Sequence, residues 1–249
     1  MPDPIRLNKA LARAGICSRR KADELISSGR VSLNGVIVKE MGTMVDADTD
    51  RIKVDGRDIS RAGSRENDLV YLALNKPVQV VSTVSDPQAR KTVMDFLPEH
   101  FRNKRLFPVG RLDYFSQGLI LLTNDGDLTY RLTHPSWDHP KIYQLVVRQK
   151  PDPKSLKTMA RGMTLSDGRK LAPVKVDIVE SRPEHTTLEL VLTQGVNRQI
   201  RRMCHDLGLT VLRLTRTAHG PIRLGSLKPG ECRPLSPKEV QALRESRRG

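Results

Sequence analysis

The chain has 249 residues, 37% of them hydrophobic and 29% charged, with 43 Lys and Arg against 28 Asp and Glu and a net charge of +15. That length fits one large domain or a small domain joined to a larger one, and the cationic excess is expected of a protein that meets a polyanion such as RNA, DNA or an anionic membrane. The membrane reading is weak because no apolar run approaches the roughly 20 residues a spanning helix needs, and "MPDPIRLNKALARAG" reads as the start of a folded domain rather than a leader.

Cys17, Cys204 and Cys232 are scattered and form no C-x-x-C pair. That spacing points to reduced thiols in a cytoplasm and away from a disulfide framework or a zinc site. Cys204 and His205 are neighbours without a second ligand pair, and His134 and His139 in "THPSWDHP" read as surface or loop residues. No metal is expected.

Leu7, Ala10, Leu11 and Ala14 follow the spacing of an amphipathic helix, closed by Gly15. Ser18 suits the N-cap of a second helix with Ala22, Leu25 and Ile26 inside, ended by Gly29. "VSLNGVIV" then reads as two short strands about an Asn34-Gly35 turn. Around this helix–turn–helix–hairpin unit the polar positions are mostly basic: Lys9, Arg13, Arg19, Arg20, Lys21 and Arg30. Three of them cluster where the second helix's dipole adds positive potential, which favours RNA contact over a merely solvated face. The segment from residue 5 to about 55, "RLNKALARAGICSRRKADELISSGRVSLNGVIV" with "RIKVDG" as a closing strand, resembles the S4 RNA-binding domain. A small domain over 1–59 is therefore expected, followed by a polar linker, "SRAGSREND", over 60–68.

A larger domain over 69–249 begins with "LVYLALNKP", a strand apolar on both faces and stopped by Pro77. "VQVVST" reads as a further strand and "TVMDFLPEHF" as a short helix. "KIYQLVV", "PVKVDIV", "TTLELVLT" and "TVLRLTRT" have strand character, "PKSLKTMARGM" and "NRQIRRMCHDLGL" are helical, and the terminal "ALRESRRG" reads as loose. Strands outnumber helices without regular alternation, so the fold class is α+β with a mixed, mostly antiparallel sheet and a central cleft.

Three stretches could carry chemistry. Asp113, preceded by Arg111, sits at the mouth of the apolar run "GLILL" in "GRLDYFSQGLILLTNDGDL". A core repels an unpaired carboxylate, so Asp113 is either a structural ion-pair or turn residue or a functional group. "NDGD" (124–127) reads as a turn and helix N-cap. In "QGVNRQIRRMCHDLG", Ile200, Met203, Cys204 and Leu207 form a buried stripe. Arg198 and Arg202 then point toward solvent or a phosphate backbone, while Arg201 on the flank could keep a cleft carboxylate ionised. Tyr143 shares a strand face with Leu145 and Val147; by itself it reads as a core residue, though the chain is only 4% aromatic and has few rings to stack on a base.

Together these stretches resemble the pseudouridine synthases, in the group that includes the ribosomal small-subunit and large-subunit synthases. The resemblance covers nearly the whole chain, with "LNKP" (74–77) as first motif, the Asp113 signature, "KIYQL" and "NRQIRRM". It implies that Asp113 is the catalytic nucleophile, that Tyr143 packs on the target uracil and moves the proton from its C5, and that Arg201 pairs with the aspartate beside apolar Ile200. It further implies isomerisation of uridine without a cofactor in ribosomal RNA, 23S rRNA or a large-subunit precursor, by a cytoplasmic protein expected to be monomeric and not membrane-bound. Departures from the group's pattern are Gln194 for an acidic residue, Phe115 for a polar one and Ser116 for threonine. Small-subunit (16S) rRNA is the alternative target. A non-catalytic ribosome assembly factor and a hydrolase pairing Asp113 with Asp125 or Asp127 are the rival functions.

Overall fold

The computed structural model describes residues 4–46, 49–59, 69–134, 137 and 139–245. The chain divides into two units, Met1–Leu69 and Val70–Gly249. The expected linker at 60–68 lies outside the described residues.

In the first unit, β1 (Ile5–Arg6) leads into α1 (Leu7–Arg13), which buries Leu7, Ala10 and Leu11. α2 (Arg19–Ser27) buries Ala22, Leu25 and Ile26, and its N-cap is Ser18, whose hydroxyl accepts from the Lys21 amide at 3.2 Å. β2 (Val31–Leu33) and β3 (Val36–Val38) form the hairpin. Asn34 and Gly35 both take positive φ, 51° and 90°, as a type I′ turn requires. β4 (Met44–Val45) pairs with β1, while β5 (Ile52–Val54) and β6 (Arg57–Asp58) complete a sheet in the order β3-β2-β5-β6. Leu7, Leu11, Ile26, Val31 and Val45 meet in one core.

The second unit starts with β7 (Tyr71–Lys76). A 3-10 turn (Val93–Phe96) and α3 (Glu99–Arg102), separated by Pro98, replace the single helix expected of "TVMDFLPEHF". β8 (Phe107–Pro108), β9 (Gln117–Thr123), α4 (Gly126–Thr133), β10 (Lys141–Val147) and α5 (Pro153–Arg161) follow. β11 (Lys175–Ser181), β12 (Thr186–Leu192), α6 (Gln199–Asp206), β13 (Val211–His219), β14 (Ile222–Arg223), β15 (Cys232–Pro234) and α7 (Pro237–Glu245) complete it. The main sheet runs β11-β12-β10-β13-β9-β7-β15, and among the described residues only its β13–β9 strand pair is parallel. The fold is α+β, with a mixed and mostly antiparallel sheet.

Strand alternation gives this sheet two faces. Ala73, Leu119 and Leu121 pack on one side with Leu128 and Leu132 of α4 and Leu243 of α7. On the other, Leu74 and Ile120 pack with Val93 and Leu112, and Leu145 and Leu190 pack with Ile200 and Met203 of α6.

Two further expectations fail here. "VQVVST" is not a strand: only a single bridge joins Val81 to Thr92. Gln79 takes a left-handed φ of 62°, and the Lys76 ammonium gathers the carbonyls of Pro77 and Val80, which bends the segment out of a ladder. The C-terminal stretch is not loose through residue 245, because Leu243 anchors α7 in a core.

Candidate active site

Asp113 lies in the loop that feeds β9, and the backbone on both sides of it is clamped. Ser82 Oγ accepts from the Leu112 amide at 3.1 Å and donates to the Leu112 carbonyl at 2.9 Å. The Gln79 amide donates to the Tyr114 carbonyl at 2.7 Å, and the Ser116 amide turns back onto the Asp113 carbonyl at 3.0 Å. Residues 79–82 are thus a brace for the aspartate loop, which is why that stretch runs irregularly. The carboxylate itself is half-buried and makes no hydrogen bond or ion pair among the described residues.

It lines a cleft of about 850 Å³ together with Tyr143, Ile200, Arg201, Arg111 and Arg198. Ile200 is buried and Arg201 half-buried on α6, while Arg111 and Arg198 are exposed. Arg198 holds a left-handed φ of 52° at the N-cap of α6. Arg202 is not directed to solvent: it forms an ion pair with Asp167.

The expected direct pair between Arg201 and Asp113 is absent. Arg201 Nη2 instead donates to the Phe115 carbonyl at 2.7 Å and to Ser116 Oγ at 3.3 Å. Burial lowers its pKa, Arg198 adds to that, and the Asp113 carboxylate opposes it across space. The arginine therefore grips the turn that carries the aspartate while feeling its charge.

From the lining into the sheet runs a row of paired residues: Tyr143 opposite Arg216, Arg216 beside Gly118, and Gly118 opposite Lys76. Lys76 is 0% exposed. Its Nζ donates to the carbonyls of Pro77 at 2.9 Å and Val80 at 2.8 Å. Burial pulls its pKa down to about 8, with Asp113 opposing the shift and Arg216 adding to it. His219 is also buried in the lining, and burial, followed by Arg216 and Lys141, holds its pKa well below the usual value. His139 is likewise buried, so of the surface or loop reading it keeps only the loop.

Asp125 is committed elsewhere. It accepts from the Asp127 and Leu128 amides at 3.1 and 2.9 Å and from the Tyr71 hydroxyl at 2.8 Å, so it caps α4 as expected. Burial, and then Asp125, push the Tyr71 pKa up to about 12.

In the first unit Arg13, Arg19, Arg20, Lys21 and Arg30 are exposed and Lys9 is half-buried. Lys21 pairs with Glu24 at 2.6 Å. Arg30 pairs with Asp55 through Nε at 2.7 Å and Nη2 at 2.5 Å, so its guanidinium is already occupied. Arg19 and Arg20 make no ion pair among the described residues.

Residues 70–206 match the family described as RNA pseudouridylate synthase. The chain belongs to that family. Residues 5–52 match the S4 domain. Among similar proteins, the ribosomal large subunit pseudouridine synthase B of Bacillus subtilis is 39% identical over 243 residues, covering 96% of this chain and 95% of the relative. The dual-specificity RNA pseudouridine synthase RluF of Escherichia coli is 39% identical over 241 residues, covering 96% of this chain and 79% of the relative. A pseudouridylate synthase crystal structure matches with a TM-score of 0.68 and 29% identity, over 96% of this chain and 99% of that one.

The departures from the synthase pattern have local explanations. Phe115 meets Arg201 through its backbone carbonyl, so its side chain is free to vary, and Ser116 offers the same hydroxyl that threonine would. Gln194 accepts from the Ala172 amide at 2.9 Å, which an acidic side chain could also do. Sequence reasoning missed Ser82, Lys76 and Arg216. A signal existed for the last two: Lys76 continues the alternating positions Leu72 and Leu74, and Arg216 that of Leu214, so each is a charge on the apolar face of a strand.

Proposed function

We propose that this synthase isomerises a specific uridine to pseudouridine in 23S ribosomal RNA or its precursor, in the cytoplasm. The observation that carries the reading is the convergence of Asp113, Tyr143, Ile200 and Arg201 on one cleft from three separate stretches of chain. Similarity to a large-subunit synthase over nearly its whole length supports the target.

In this reading Asp113 is the nucleophile, fixed by the backbone clamps on its loop. Tyr143 packs on the uracil and takes the proton from C5. Arg201 holds the loop through Phe115 and Ser116. Ile200 helps to exclude water. Arg111 and Arg198, exposed in the lining, meet phosphates, and Arg19, Arg20 and Lys21 of α2 supply RNA affinity. The N1–C1′ bond breaks, the uracil turns, and C5 joins C1′. Atoms and electrons balance within the nucleotide, so no redox partner or group donor is required. A paired uridine must first be extruded, which costs a few kcal/mol.

A second reading keeps another RNA in play, since a similar relative is described as having dual specificity. Mapping pseudouridine at nucleotide resolution in total RNA, with and without the gene, tests both. Loss of a position in 23S rRNA that returns with the wild-type gene is expected. An unchanged map contradicts the proposal, and loss in 16S or transfer RNA contradicts the target.

A further inference from the structure

The cleft floor holds a second arginine that the roles above leave unused. Arg216 on β13 is directly opposite Tyr143 on β10 and beside Gly118 on β9. Directly opposed residues carry their side chains on the same face of a sheet, so the guanidinium shares the face of the tyrosine ring. Gly118 adds no side chain to this row, and a Cβ there would stand 2.3 Å from the Arg216 carbonyl oxygen.

Arg216 lines the cleft yet is only 2% exposed. Its Nε donates to the Leu119 carbonyl at 2.7 Å, while Nη2 is enclosed without an acceptor. No ion pair engages it among the described residues. A guanidinium has five N–H donors, and burying one with donors unfilled and no counter-ion is destabilising. Bridging β9 to β13 by one hydrogen bond does not need a buried cation. The group also acts within reach of the reaction centre, since Lys76 feels both Arg216 and Asp113.

We propose that Arg216 donates to a carbonyl oxygen, O2 or O4, of the uracil packed on Tyr143 and stabilises the negative charge that reaches it during isomerisation. This rests on the isomerase reading above. It holds for each route open to the aspartate. Attack at C1′ or a glycal route sends the electron pair of the N1–C1′ bond into the uracil, where it spreads over N1, O2 and O4. Attack at C6 sends electrons to O4. In each case the ring carries negative charge before C5 bonds C1′; the C5 proton is then lost and N1 takes up a proton. A fixed cation with spare donors in a dry site is the arrangement that stabilises such charge. A backbone phosphate is the less suited occupant, because it stays on the solvent side where Arg111 and Arg198 are exposed.

The test uses the full-length protein and the RNA fragment containing the uridine located by pseudouridine mapping, with that uridine replaced singly by 2-thiouridine or 4-thiouridine. Sulfur is the weaker acceptor. Wild type is expected to lose about tenfold in single-turnover rate with one of the two sulfurs, the loss of a charge-assisted hydrogen bond. Arg216→Gln is expected to lose roughly 10²- to 10³-fold in kcat with little change in KM, and nothing further with the thio substrate. Arg216→Lys should recover part of the rate, and it takes the place of the glutamine variant in the comparison should that one fail to fold. Indifference of the wild type to both sulfurs overturns the proposal even if neither variant folds. Wild-type turnover by Arg216→Gln, multiplicative effects of variant and sulfur, or coupling of Arg216 instead to a methylphosphonate at the 5′ phosphate also overturn it. Absence of any modified uridine would contradict the isomerase reading instead.

Discussion

The two units hold the same kinds of side chain in opposite circumstances. Arg19, Arg20 and Lys21 are exposed in the first turn of α2, where a positive charge costs little; the two arginines make no ion pair among the described residues, and Lys21 shares its charge only with exposed Glu24. Arg216 in the cleft lining and Lys76, two strands away in the same row, are buried without an ion-pair partner among the described residues. Exposed cations with freedom to move suit an irregular polyanion, and their contribution is strongly dependent on salt. Buried cations have no such freedom and are retained only where a fixed field or a fixed contact is needed. The difference separates affinity from chemistry, and each side of it can be tested.

The largest effect is expected on the chemical side. Tyr143→Phe keeps the ring but removes the hydroxyl, so single-turnover modification should slow by about 10²-fold or more while RNA affinity stays near wild type. A wild-type rate would reduce Tyr143 to a stacking or packing residue. On the affinity side, reversing Arg19, Arg20 and Lys21 to glutamate should weaken binding and reduce the slope of log affinity against log salt by about 2 to 3. Filter binding across a salt series reads this directly, and an unchanged slope would remove α2 from the interface.

The smallest effect concerns the buried lysine. Its folded pKa of about 8 lies below the ordinary 10.5, so between these values the unfolded chain binds more protons than the folded one. Lys76 therefore penalises stability fully below pH 8, by at most on the order of 3 kcal/mol, and the penalty fades as pH rises toward 10.5. Denaturation of wild type and Lys76→Met across that range should show the stability difference shifting in favour of wild type. A flat difference would mean that the ammonium is not desolvated as described.

Much of this division is legible in the sequence. The helix pair, the Asn34-Gly35 turn and the strand "KIYQLVV" follow from local periodicity and caps, which depend on neighbours a few residues away. What could not be read depends on distant contacts. "VQVVST" has strand composition, but Lys76 bends it into a brace for the aspartate loop. α6 declared its buried stripe, yet the partner of Arg201 is a backbone carbonyl 86 residues away rather than the carboxylate its charge suggested. Arg216 looked like one basic residue in a basic chain, and only the register of four strands brings it beside Tyr143, Gly118 and Lys76.

Asp113→Asn tests the separation of chemistry from affinity most directly, because the amide is nearly isosteric and the loop is held by backbone bonds that the substitution leaves intact. Thermal unfolding, RNA affinity and pseudouridine formation would be measured on one preparation of the variant. The expected result is complete loss of modification with the unfolding temperature and affinity close to wild type. Retained modification would contradict the account, and collapse of the fold would make Asp113 a structural residue rather than the reacting group.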